Sequence, residues 1–93
     1  MTNESPKHKR IEFSPVFEKH LAAAPPEIRI AFREAYALFA ENQYHPLLRN
    51  HTLTRQYAGM RSIDVTDDWR ALYRIEPERF VFMTIGTHKE LYG

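Results

Sequence analysis

Ile28, Ala31, Phe32, Ala35, Tyr36, Leu38 and Phe39 recur at spacings of mostly three and four residues, and this stripe constrains the fold more than any other feature of the chain. A pattern of that period lines one face of a helix and obliges the face to be buried. The Pro25-Pro26 pair opens the helix, because proline is tolerated in the first turn, and Glu27 suits its positive end. His45-Pro46 stops the chain beyond Asn42, so the spacing predicts a helix over 26–42. Arg33, Glu34 and Glu41 fall largely outside the stripe. The aromatics of the stripe read as core. With 93 residues there is room for one domain, so the cover for this stripe must come from the same short chain.

The remaining segments supply that cover. Residues 1–9 are polar and carry Pro6, which reads as a flexible tail, with residues 10–93 forming a single domain. Arg10-Ile11-Glu12-Phe13 alternates and predicts a short strand over 10–13. Ser14-Pro15 is a helix cap with proline at the first position, and Val16, Phe17 and His20-Leu21 predict the inner stripe of a helix over 15–23. Residues 47–56 read as a loop. Three strands are then predicted over 57–65, 69–75 and 80–85, joined by the turn-like segments 66–68 and 76–79. Such short connections make an antiparallel meander. Gly59 marks a bulge or a close backbone approach in the first of these strands. Gly86 ends the last, and residues 88–92 read as a short tail. The fold class is α+β: an N-terminal strand, two helices, then a three-strand antiparallel meander with the helices on one face. Ile28, Phe32, Leu38, Phe39, Ile63 and Val81 are the expected buried residues.

Alternation divides the strands into faces. Trp69, Ala71, Tyr73 and Ile75 share one face and Arg70, Leu72 and Arg74 the other. Val81, Met83 and Ile85 oppose Phe80, Phe82 and Thr84. Both faces carry apolar bulk, yet two helices cover only one, so the second face is expected to await a partner, bordered by arginine. Packing of these aromatics among themselves is the competing reading.

Several classes of function are excluded. The chain has no cysteine, hence no disulfide, no thiolate zinc site and no thiol nucleophile. No apolar run approaches the roughly 20 residues that span a bilayer. Three scattered glycines make no phosphate loop, and neither His-Glu-x-x-His nor Gly-x-Ser-x-Gly occurs. Asp67-Asp68 lies in a turn that solvates both carboxylates, which argues against a metal, and no cofactor is expected. A net charge of +1 is weak for a nucleic-acid binder, although nine of the thirteen basic residues are arginine. What remains is a polar group in the second half: His51, Asp64, Asp68, Trp69, several arginines and His88. Metal-free RNA cleavage needs a base for the 2′-hydroxyl, a cation for the phosphorane and an acid for the leaving 5′ oxygen. Histidine serves as either acid or base near neutrality. Solvated histidines and salt-bridged arginines are the plainer account of the same residues.

Longer phrases add a resemblance. Ile11-Glu12-Phe13-Ser14-Pro15-Val16-Phe17, His51-x-Leu53, Gly59-Met60-Arg61-Ser62-Ile63, Asp68-Trp69-Arg70-x-Leu72-Tyr73-Arg74 and Ile85-Gly86-Thr87-His88-x-x-Leu91-Tyr92 resemble the RelE/ParE toxin superfamily, closest to its YafQ-like mRNA interferases. The resemblance spans residues 10–92. It implies a ribosome-dependent, metal-independent endoribonuclease of the cytoplasm, acting on messenger RNA and neutralised by a cognate antitoxin. It also implies contact with operator DNA only through the antitoxin complex, and none with membrane. His88, His51 and Asp68 would be the catalytic residues. Trp69 and Tyr92 match further positions of the family site, and Arg61, Arg70 and Arg74 are candidates for the phosphate. Two positions depart: Asp64 replaces a histidine of the family, and Thr84 an arginine. The departures keep two alternatives open, a gyrase inhibitor of the ParE kind and an attenuated member that mainly binds its antitoxin.

Overall fold

The computed structural model describes residues 9–93, so the expected tail lies outside them apart from Lys9. Strand β1 (Arg10–Phe13) leads into helices α1 (Pro15–Ala23) and α2 (Pro26–Glu41). After a 3-10 turn at Pro46–Leu48 come β2 (His51–Thr52), a second 3-10 turn at Arg55–Tyr57, β3 (Met60–Asp64), β4 (Trp69–Glu76), β5 (Arg79–Thr87) and helix α3 (His88–Tyr92).

Local chemistry sets the helix ends. The Ser14 side chain accepts from the backbone N–H of Phe17 at 3.0 Å, capping α1. Two prolines in succession end α1 and begin α2. Ile28, Phe32, Ala35 and Phe39 are buried along α2, as the stripe requires, while Leu38 is only half-buried. In α1 the inner residues are Phe17 and Leu21; Val16 and His20 point outward, contrary to the expected stripe, because the helix meets the sheet along a narrower line.

The sheet differs from a plain meander. It is mixed and five-stranded, in the order β1-β5-β4-β3-β2. β1 lies parallel to β5, made possible by the long return through both helices, and the other pairings are antiparallel. The predicted loop over 47–56 contributes the short β2. The strand expected from Tyr57 begins only at Met60, because Gly59 adopts φ of 90° and turns the chain there. The irregularity sits elsewhere. Leu72 pairs with Thr84 but Tyr73 with Phe82, leaving Met83 as an extra residue on β5. That residue shifts the alternation, so Ile85 joins Phe80 and Phe82 in the core and does not stay with Val81.

Helices and sheet meet through aromatic rings. Phe39 lies edge-on to Tyr73 at 4.8 Å and to Phe80 at 5.2 Å, and Phe32 meets Phe82 at 5.5 Å. Ile28, Phe32, Phe39, Ile63 and Val81 are all buried, as expected. The far face is not bare either. Leu72 and Ser62 lie on it and are fully buried. Helix α3 folds back over it: a Cβ on Gly86, which pairs with Arg70, would come within 3.4 Å of the Leu91 side chain. The segment read as a tail is therefore the partial cover of that face. Its start is a capping box, Thr87 Oγ1 accepting from the Glu90 N–H and Glu90 from the Thr87 N–H.

Candidate active site

Three of the expected site residues come together where β5 passes into α3. The His88 N–H donates to the Asp68 carbonyl at 2.8 Å, which ties the start of α3 to the β3–β4 turn. The His88 ring packs on the Tyr92 ring at 4.8 Å, one helical turn on. His88 and the Asp68 side chain are exposed. Trp69 pairs with Thr87 and stands beside them, its ring packed toward the core. Tyr57, expected only as the first residue of a strand, completes the row: its ring meets Tyr92 edge-on at 5.7 Å and its hydroxyl donates to the Leu91 carbonyl at 2.7 Å. The Tyr92 hydroxyl oxygen is buried and has no hydrogen-bond partner among the described residues.

His51 lies apart from this group. It sits on edge strand β2 opposite Ser62, which pairs with Leu72, and Leu72 in turn pairs with Thr84. Three strand spacings, about 14 Å, separate its backbone from β5. Its Nδ1 is 3.0 Å from the Arg49 carbonyl, and the residue is exposed.

The arginines divide. Arg70 is held by Asp64 at 3.0 Å and donates to the carbonyls of Thr66 and Asp67. The other Asp64 oxygen meets Arg49 at 3.3 Å. Asp64 therefore organises two cations on the α3 side of the sheet. Arg74 is on the same face but pairs with Glu76 at the opposite end. Arg61 projects from the helix-covered face: it pairs with Tyr73, donates to Asn50 Oδ1 at 2.6 Å and stacks on the Tyr44 ring. The same cluster surrounds the Tyr73 hydroxyl, whose burial pushes its pKa up to about 12.

Thr84 is engaged too. Its Oγ1 lies 3.0 Å from His20 Nδ1 of α1. Both line a cavity of about 330 Å³ with Trp69, Gly86, Glu90 and Leu91, along the stretch of β5 that β1 does not cover. Among the described residues no group of three His, Asp or Glu side chains is placed to hold a metal ion. No helix there is long and apolar enough to cross a membrane.

Comparison with known proteins gives the following. The family described as "Bacterial toxin of type II toxin-antitoxin system, YafQ" matches residues 9–93. The crystal structure of YafQ from E. coli superposes with a TM-score of 0.72 at 21% identity, covering 91% of this chain and 99% of that one. The E. coli DinJ–YafQ toxin–antitoxin complex gives 0.70 at 24% identity, with 92% and 99% covered. The RelBE2 toxin–antitoxin complex of Mycobacterium tuberculosis gives 0.72 at 23% identity, with 95% and 98% covered. These likenesses establish a RelE-like fold. No curated protein sequence matches.

Proposed function

The chain belongs to the YafQ family of toxins of bacterial type II toxin–antitoxin systems, a family of ribosome-dependent mRNA interferases, and from that premise we propose that this member cleaves messenger RNA itself, with His88 moving the proton. The observation that carries the reading is the grouping of His88, Asp68 and Tyr92. An exposed imidazole is anchored through its own backbone to the carbonyl of Asp68, with the Tyr92 ring packed on it.

In the proposed step Asp68 takes the proton of the 2′-hydroxyl and the 2′ oxygen attacks phosphorus. His88 then protonates the departing 5′ oxygen, leaving a 2′,3′-cyclic phosphate and a 5′-hydroxyl. Tyr92 and Tyr57 offer faces on which bases stack. Trp69 and Arg70 shape the site from behind, Arg70 through its hold on Asp64 and the β3–β4 turn. His51, on edge strand β2 and three strand spacings from β5, is assigned a contact to the message. Arg61 faces the other side and Arg74 the other end, and neither reaches the reacting phosphate. A small antitoxin is the proposed partner, since relatives of this fold crystallise with theirs. The place of action is the ribosome, hence the cytoplasm, and operator DNA enters only through the antitoxin complex.

The test is direct. Purified protein is added to a translation reaction, the message ends are mapped, and gyrase supercoiling is measured in parallel. Message cut only when ribosomes are present supports the reading. Intact message with blocked supercoiling replaces it by gyrase inhibition.

A further inference from the structure

Most arginines of the described chain are already engaged. Arg10, Arg74 and Arg79 pair with Glu12 and Glu76, and Arg29 donates to the carbonyls of Ala22 and Ala24. Arg61 and Arg70 are held as described above, and Arg33 is exposed on α2, away from the α3 face. Arg49 and Arg55 are exposed like Arg33, but they lie on either side of β2 and His51. The Arg49 side chain is 77% exposed, and its one side-chain partner among the described residues, Asp64, is shared with Arg70. Arg55 is exposed and makes no ion pair among the described residues.

A second observation concerns the backbone. Among the described residues only two that are not glycine have positive φ, and they are these two arginines, at 49° and 59°. Glycine and asparagine are the residues that ordinarily take such conformations. Arginine does nothing for the backbone there, and strain of this kind persists where a side chain is needed at a set place. The two positions flank β2 and His51. Arg55 also borders a cleft of about 200 Å³ with Tyr57 and Tyr92.

We propose that Arg49 and Arg55 are the pair that grips RNA phosphates along the His51 rim. The proposal rests on the messenger-cleavage reading and specifies where the nucleic-acid backbone lies. Asp64 meets Arg49 at Nε, and among the described residues its two Nη groups have no partner, the geometry that suits bidentate capture of a phosphate. Asp64 thus positions Arg49 while also holding Arg70. The tyrosine row runs from this rim to His88, so one strand of RNA can touch both.

Glycine substitution separates strain from function. Arg49→Gly and Arg55→Gly relieve the positive φ, so each full-length variant should keep or raise its melting temperature. Binding is read by anisotropy with a fluorescent, 2′-O-methylated single-stranded RNA between 50 and 200 mM KCl, and by cosedimentation with vacant ribosomes. Each lost phosphate contact lowers the slope of log affinity against log salt by about 0.7 on a single strand. A flatter slope and weaker binding on the oligonucleotide place the grip on the message. Loss on ribosomes alone places it on ribosomal RNA, and either result supports the pair. Unchanged binding in both arms overturns the proposal, as does a fall in melting temperature large enough to account for the loss. Wild-type protein that cuts message while the glycine variants bind normally would sink this inference and leave the cleavage reading standing. Lost RNA binding in a protein that never cuts would do the reverse.

Discussion

Where β4 turns into β5, Arg79 sits between Glu12 and Glu76, Arg74 shares Glu76 and Arg10 shares Glu12. Where β5 runs into α3, His88 and Asp68 face solvent without an ion pair, and along the neighbouring rim Arg49 and Arg55 are largely free. The two regions use the same residue types to opposite ends. At the turn, hydrogen bonds and charge from Arg79 hold the carboxyls of Glu12 and Glu76 below the usual range, and the Arg79 guanidinium is held above its own. Those five charges satisfy one another, so little of them is left over for a ligand. At the start of α3 the His88 ring and the Asp68 carboxylate are left to solvent, which keeps their chemistry available.

That division can be broken in both directions. The largest effect is expected for His88→Gln, which should lower message cleavage about 10²–10⁴-fold with an unchanged melting temperature. Full activity in that variant would end the assignment of His88. Phe32→Ala is the control that reaches both regions at once, because it removes a ring from the shared core. It should cost about 3–5 kcal/mol in urea denaturation, a large part of the stability of a domain this small; a stable variant would contradict the packing described.

Thr84→Arg adds an unmatched cation to the α3 side and should raise cleavage about tenfold, the worth of roughly one extra charged contact. No gain would mean that phosphate binding is not what limits the rate. Arg79→Ala, at the matched end, should lower the melting temperature by a few degrees, less so in high salt, and leave cleavage untouched.

The smallest effects are those of pH on stability. Glu12 and Glu76 have folded pKa values below their unfolded ones, so their contribution is full above the unfolded carboxylate range. It is lost as pH falls through the folded values, and Glu76→Gln should flatten that acid limb. Tyr73 has the opposite sign. Its pKa is raised from 10.0 to about 12, so stability holds below pH 10 and declines as pH rises toward 12, a decline that Tyr73→Phe should abolish. Equal alkaline melts for the two proteins would show that Tyr73 ionises freely.

Much of the architecture was legible residue by residue. Ser14-Pro15 and Pro25-Pro26 announced both helices, because caps and prolines act within one turn of chain. The aromatic stripe announced the face of α2. Thr87-His88-Lys89-Glu90 carried a capping-box signal as plain as these, yet five residues at a chain end read as a tail, since so short a helix holds only when Leu91 has a surface to pack on. The site was legible in part. The adjacency of Asp68 and His88 follows from the family resemblance, whereas the separation of His51 from them depends on strand order.

Short-range physics therefore determined, from the sequence alone, where the helices begin and end, which residues of α2 turn inward and which residue types were available for chemistry. The tertiary structure decided the parallel pairing of β1 with β5, the extra residue at Met83 that sends Ile85 into the core, the return of α3 across the far face and the matching of each arginine with its acid. Those outcomes bring together residues far apart in the chain, where the free energy of packing and pairing outweighs any preference encoded within a few neighbouring positions.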